Sequence, residues 1–311
     1  QRGARGNESY LGEAVNLRLL TTGRELLDLQ QASPSAKSAA LVVANPAYDR
    51  SVSRDGGSTT VFAAKSSGAS DGPKRSSDLP EQLKWDPLPA TAQEGEFVKT
   101  ITGGSLLVQQ KATAEAVKAT PAPKILHLAT HAFYLPNQPQ QQPEPGEGLL
   151  DQRGSRGVVR TKSLQGESPL LRSGIALAGA NQPNADPKDD GYLTALEVAQ
   201  LSWEGTDLVV ISACESGLGD LQVGEGVYGL KRAIAVAGAR SSLLSLWKVD
   251  DSATAAFMES FYQRLKKGKA KGNALAETQN EFRNHPIPMW REPYVWAAFQ
   301  LSGDWGPIEG L

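Results

Sequence analysis

Leu208-Val-Val-Ile-Ser-Ala-Cys214 is an apolar run that ends on the chain's single cysteine, and Ile125-Leu-His-Leu-Ala-Thr-His131 ends on one of its three histidines. Continuous apolar runs of this length, bounded by turn residues, suit strands covered on both faces. Similar runs at 40–44, 175–178, 242–247 and 295–301 predict further strands. Helical spacing links Val227, Leu230, Ile234 and Ala237, with Gly238 as C-cap. It recurs in Phe257, Phe261 and Leu265, closing on Lys266, Lys267 and Gly268, where cations complement a helix C-terminus. Weaker helical patterns occupy 92–100, 113–118, 194–201 and 274–282. Strand–helix alternation of these lengths predicts an α/β sandwich with a mostly parallel sheet. Ligands of such sheets gather beyond the carboxyl ends of the strands, where both reactive side chains fall.

Composition narrows the class of protein. The chain has 311 residues, enough to bury a sizeable core, and we read it as one domain. Its 32 basic and 34 acidic residues give a formal charge of −2, so nothing draws it globally to nucleic acid or anionic lipid. No apolar run is long enough to predict a transmembrane helix. The sequence does not begin with Met and opens on no signal peptide, which reads as a fragment of a longer protein. One cysteine excludes an internal disulfide framework and a thiolate metal cluster. Two stretches, 49–85 and 136–169, are rich in Ser, Gly, Pro and charge and poor in apolar periodicity, and are expected to be flexible insertions. The basic stretch 153–162 is either a solvated loop or a processing site.

A lone cysteine is most often a small buried hydrophobe. A thiol with an imidazole across a strand-end cleft is another matter, because the thiolate is the nucleophile and the imidazole can take its proton and pass it to a leaving amine. Other chemistries fit less well. Gly217-Leu-Gly219 and Gly224-Glu-Gly226 depart from dinucleotide-loop spacing. Ser216 lies outside a nucleophile-elbow motif. Three histidines and one cysteine lack zinc-site spacing, and no cofactor is expected. His127 is read as a structural residue, and His285, beside Pro286, matches no catalytic pattern.

The flanking residues go further. Ile125-Leu-His-Leu-Ala-Thr-His-Ala-Phe133 and Val209-Val-Ile-Ser-Ala-Cys-Glu-Ser-Gly-Leu-Gly219 resemble the histidine and cysteine motifs of the CHAT domain family, a branch of the caspase/separase clan of cysteine peptidases. The resemblance continues through Ser173-Gly-Ile-Ala-Leu-Ala-Gly-Ala-Asn181, Gly224-Glu-Gly-Val-Tyr-Gly-Leu-Lys-Arg-Ala233, Ser245-Leu-Trp-Lys-Val-Asp-Asp251 and Tyr294-Val-Trp-Ala-Ala-Phe-Gln-Leu-Ser-Gly303. It implies a caspase-like three-layer α/β/α sandwich, with Cys214 as nucleophile and His131 as general base and acid. It further implies an oxyanion hole from the backbone N–H groups of Cys214 and Ala132. Many relatives carry Gly after the histidine, and Ala fits only if the loop does not require positive φ. The segment before Asp251 is similar to the one that supplies an acidic pocket in separases. Asp250, Asp251 and Glu215 are therefore candidates to face an Arg or Lys at P1, the residue on the acyl side of the scissile bond. The competing reading for the aspartates is capping of the following helix, a role that suits Asp251 at least as well as Asp250. The resemblance also implies a bacterial, cyanobacterial-type cytoplasmic regulator acting on protein substrates, with an interaction module such as tetratricopeptide repeats in the full chain. The alternative is a dormant caspase-like domain that only binds partners.

Overall fold

The computed structural model describes residues 18–21, 23, 25–31, 34–49, 84–134, 170, 172–182, 190–212 and 223–311. The expected insertion 136–169 lies outside these residues, as do Cys214, Glu215 and residues 50–83 of the other insertion.

In chain order the first elements are α1 (Glu25–Asp28), β1 (Leu41–Pro46), α2 (Ala90–Thr102), β2 (Ser105–Gln109), α3 (Ala114–Ala119) and β3 (Ile125–Ala129). Three short strands and a helical turn follow: β4 (Ala132–Tyr134), β5 (Ser173–Ala176), β6 (Tyr192–Thr194) and α4 (Ala195–Val198). The remainder comprises β7 (Leu208–Ile211), α5 (Val223–Val236), β8 (Ser241–Ser245), α6 (Asp251–Lys266), α7 (Lys271–Arg283), a 3-10 turn (Pro288–Arg291), α8 (Pro293–Trp296) and β9 (Phe299–Gly303).

Six strands form the central sheet in the order β2-β1-β3-β7-β8-β9. Its first five strands run parallel, and β9 closes the edge antiparallel to β8. Period-two alternation sends the apolar side chains to both faces, as two-sided burial demands. Leu126, Leu128, Val209 and Ile211 pack with Leu230, Ala233 and Ile234 of α5. Ile125, Leu208 and Val210 pack on the other face with Val98, Phe257, Phe261 and Phe282 from α2, α6 and α7. This is the mostly parallel three-layer α/β/α arrangement expected. A second, antiparallel sheet, β4-β5-β6, carries the chain away from the carboxyl end of β3.

Local signals account for several boundaries. Thr113 caps α3 by accepting from the Ala116 N–H, and Thr194 with Glu197 forms a reciprocal capping box on α4. Gly238, at φ 96°, follows α5 with its N–H bonded to the Ala235 carbonyl. Two expectations are corrected. The run 295–301 is not all strand: Pro293 opens a helical turn holding Val295 and Trp296, and the strand begins at Phe299. Trp85, assigned to a flexible insertion, is instead buried in an aromatic cluster with Tyr48, Phe133 and Tyr192.

Candidate active site

β3 and β7 are neighbours in the central sheet, parallel and in register, with Leu128 opposite Ile211. The ladder continues one step, as the Ser212 N–H donates to the Leu128 carbonyl at 3.2 Å. Both strands therefore deliver their carboxyl ends to the same edge, and His131 stands there, between β3 and β4. The chain leaves the sheet at Thr130, whose hydroxyl donates to the Ala176 carbonyl at 2.6 Å and sits 2.8 Å from the Tyr48 hydroxyl. The Ala176 N–H in turn donates to the His131 carbonyl at 2.9 Å. These bonds hand the chain from one sheet to the other and fix the backbone of His131.

The imidazole is 3% exposed. Its Nε2 lies 2.9 Å from the backbone carbonyl of Asp86. A carbonyl can only accept, so Nε2 carries the proton and Nδ1 is the basic nitrogen of the neutral ring. The rings of Tyr48 and Trp85 flank the imidazole, each with its centroid 5.3 Å away. Trp85 is anchored by its indole N–H, which donates to the Tyr192 hydroxyl at 3.1 Å, and Tyr192 donates to the Ala180 carbonyl at 2.7 Å. Burial pushes the Tyr192 hydroxyl pKa up, keeping it protonated and able to donate.

Ala132 begins β4, with Ile175 as its partner in β5. The bond from the Ala176 N–H to the His131 carbonyl sets the phase of this ladder. The Ala132–Ile175 pair is thereby the non-hydrogen-bonded kind, and the Ala132 N–H points away from β5. Ala132 is not among the non-glycine residues at positive φ, so a side chain at this position strains nothing.

His127 faces the α2/α6 side of the sheet and is fully buried. Its Nε2 is 2.9 Å from Oε1 of Glu94, itself 1% exposed, and its Nδ1 is 3.1 Å from the Tyr262 hydroxyl. Glu94 reaches this depth because α2 lies directly on the sheet at Gly95. A Cβ there would come 2.7 Å from that of Ala44. Burial, reinforced by the Glu94 charge, raises the Tyr262 pKa well above that of an ordinary phenol, so Tyr262 donates to Nδ1 and the imidazole donates to the carboxylate. The structural role expected for His127 has this physical form.

The aspartates ahead of α6 play different parts. Asp250, not Asp251, is the N-cap: its Oδ1 accepts from the N–H groups of Ser252 and Ala253, both at 3.1 Å, and from the Ser252 hydroxyl. Those bonds hold its carboxyl below the usual range. Asp251 is the first helical residue and half-buried. Burial and then the neighbouring Asp250 push its carboxyl up, against opposing pulls from His131 and Lys248. Across the small sheet, burial raises Asp190 to about 6 although the Tyr192 N–H donates to it.

Tyr48, Trp85, Asp86, Glu94 and Tyr262 all shape this end of the sheet, and no sequence motif pointed to them. Among the described residues no group of three or more His, Cys, Asp or Glu side chains is placed to hold a metal ion, and no helix is long and apolar enough to cross a membrane.

Comparison with known proteins agrees with this architecture. The chain is 28% identical to human (Homo sapiens) tetratricopeptide repeat protein 28 over 234 residues, and 25% identical to the mouse (Mus musculus) protein over 236. Each match covers 74% of this chain but 9% of the relative, so the chain corresponds to a small part of those proteins. The family model of the CHAT domain matches residues 2–304, nearly the whole sequence, and the chain belongs to the CHAT domain family.

Proposed function

We propose that this domain is a cysteine endopeptidase in which Cys214 is the nucleophile and His131 the general base. The observation that carries the reading is the held imidazole: Nε2–H is committed to the Asp86 carbonyl, which makes Nδ1 the basic nitrogen of the neutral ring. Cys214 stands three residues past Ile211, as His131 stands three past Leu128, and Ile211 and Leu128 are partners in adjacent parallel strands.

In the first step Nδ1 takes the thiol proton and the thiolate attacks the peptide carbonyl. The resulting oxyanion is bound by the N–H groups of Ala132 and Cys214. Collapse breaks the C–N bond as the imidazolium gives its proton to the leaving amine, leaving a thioester. Water, deprotonated by the same imidazole, then releases the acid and restores the thiol. The P1 residue is Arg or Lys, facing Asp251, with Glu215 as a second acidic contributor. Asp250 is the weaker candidate because its carboxylate already serves the α6 N-terminus. The relatives' tetratricopeptide repeats support a regulatory module of that kind in the full-length chain, acting on a protein substrate.

Hydrolysis of Arg- and Lys-containing peptides tests this. His131→Ala and Cys214→Ser should each abolish turnover, and intact activity in both would refute the dyad. If Asp251→Ala leaves a measured basic preference unchanged, the pocket assignment fails while the dyad stands. If the wild type shows no turnover under any activating condition, the domain is a binding module instead.

A further inference from the structure

We propose that Asn181 is a positioning residue for His131. The inference rests on the reading of His131 as the base, but it is drawn from a separate set of contacts. Asn181 lies in the turn after β5, and its side-chain amide spans the main chain of Trp85. Oδ1 accepts the Trp85 N–H at 2.8 Å, and Nδ2 donates to the Trp85 carbonyl at 3.0 Å. One planar amide thus does for Trp85 what a neighbouring strand would do, satisfying both of its backbone groups. Nδ2 also donates to Oδ1 of Asp49 at 3.0 Å, and the Asn181 backbone N–H donates to the Tyr48 carbonyl at 3.0 Å.

Three features that set the His131 ring therefore hang from this residue. The Asp86 carbonyl, one residue after the clamped Trp85, receives Nε2–H. The Trp85 and Tyr48 rings flank the imidazole on segments that Asn181 ties together. None of these contacts involves Asn181 touching the imidazole, so its role is to hold the group that selects the tautomer. Alanine removes every side-chain bond. Aspartate keeps an acceptor for the Trp85 N–H but sets a carboxylate against the Trp85 carbonyl and Asp49, breaking the clamp without changing its size.

The test uses the full chain labelled with 15N-histidine, in which two-bond proton–nitrogen correlations report each imidazole tautomer. The His127 signals, from the buried network on the α2/α6 face, report that the fold is intact. The wild type should show His131 as the Nε2–H form. Folded Asn181→Ala should lose that preference, and its kcat should fall about 10- to 100-fold, the scale of a small misplacement of a catalytic group, with KM nearly unchanged. If Asn181→Ala fails to fold, Asn181→Asp decides by the same signals, and Asn181→Gln, which can still offer both amide functions, should partly restore them. A folded variant with an unchanged His131 tautomer and kcat overturns the role of Asn181 alone. A wild type without the Nε2–H form overturns the base reading and this inference with it.

Discussion

Replacing His127 by leucine should be among the most damaging single changes in the core, although His127 touches no substrate in this account. The wild-type imidazole donates to a carboxylate that is 1% exposed, and leucine leaves that carboxylate with neither its donor nor water. Breaking a buried charged pair from one side costs about 3–5 kcal/mol, a large share of the 5–15 kcal/mol that stabilises a typical domain. Glu94→Leu removes the charge and strands only a neutral N–H, at about 1–3 kcal/mol. The double variant removes both partners of the charged pair and strands only the Tyr262 hydroxyl, so it should cost about 1–3 kcal/mol, giving a coupling energy on the order of 4 kcal/mol. Urea unfolding followed by tryptophan fluorescence and far-ultraviolet circular dichroism measures the cycle, provided that the two transitions coincide. A loss below about 1 kcal/mol in His127→Leu, or strict additivity in the double variant, would refute the reasoning.

Other consequences follow from single side chains. Asp190 titrates at about 6 in the fold against an ordinary 3.8, so the folded state holds a proton that the unfolded chain releases between those values. Its contribution is therefore full below pH 4 and is lost as pH rises through 6. Asp190→Asn should flatten that slope and stabilise the protein near pH 7 by about 1–2 kcal/mol, the full linkage value of about 3 being reduced by partial exposure. Thermal unfolding across pH 4–8 checks this, and an unchanged slope would contradict it. Asp250→Ala removes the cap of α6 and should cost about 1–2 kcal/mol in urea unfolding, whereas Asp250→Asn or Asp250→Ser should recover most of it. At the opposite end of the sheet Lys271 is fully buried with Nζ 3.3 Å from Oδ2 of Asp304, and burial lowers its pKa. Asp304→Ala should cost about 3 kcal/mol at neutral pH and less at high pH, where the amine can shed its charge.

Local physics writes part of this architecture directly into the sequence. Leu208–Ile211 and Ile125–Ala129 are buried on both faces, so their residues are apolar apart from His127, and the side chains that follow them stand out against that background. Edge and junction strands carry no such mark. Ser105–Gln109 is half-exposed, and β4 and β6 are three residues each, too short for periodicity to register. Pro293 is a readable helix start, but Val, Trp and Phe after it suit a strand equally well. The two aspartates before α6 are both chemically able to cap; the backbone places Asp250 outside the helix and Asp251 within it. The setting of His131 was illegible for a different reason. Trp85 and Asp86 meet it, and Asn181 holds them, only through tertiary contacts, and a polar, glycine-rich neighbourhood makes Trp85 look like part of a loop.

The central claim is that Cys214 is a nucleophile served by His131. Its most direct measurement is intact-mass analysis after incubation with a peptide probe that carries an arginine and a thiol-directed warhead. A Cys214–His131 dyad predicts one adduct per chain, mapped to Cys214 and lost in Cys214→Ala. It also predicts that labelling is at least about tenfold slower in His131→Ala, where the thiol lacks its base. Equal labelling of the wild type and His131→Ala would contradict it, because the cysteine would then be reacting as an ordinary exposed thiol.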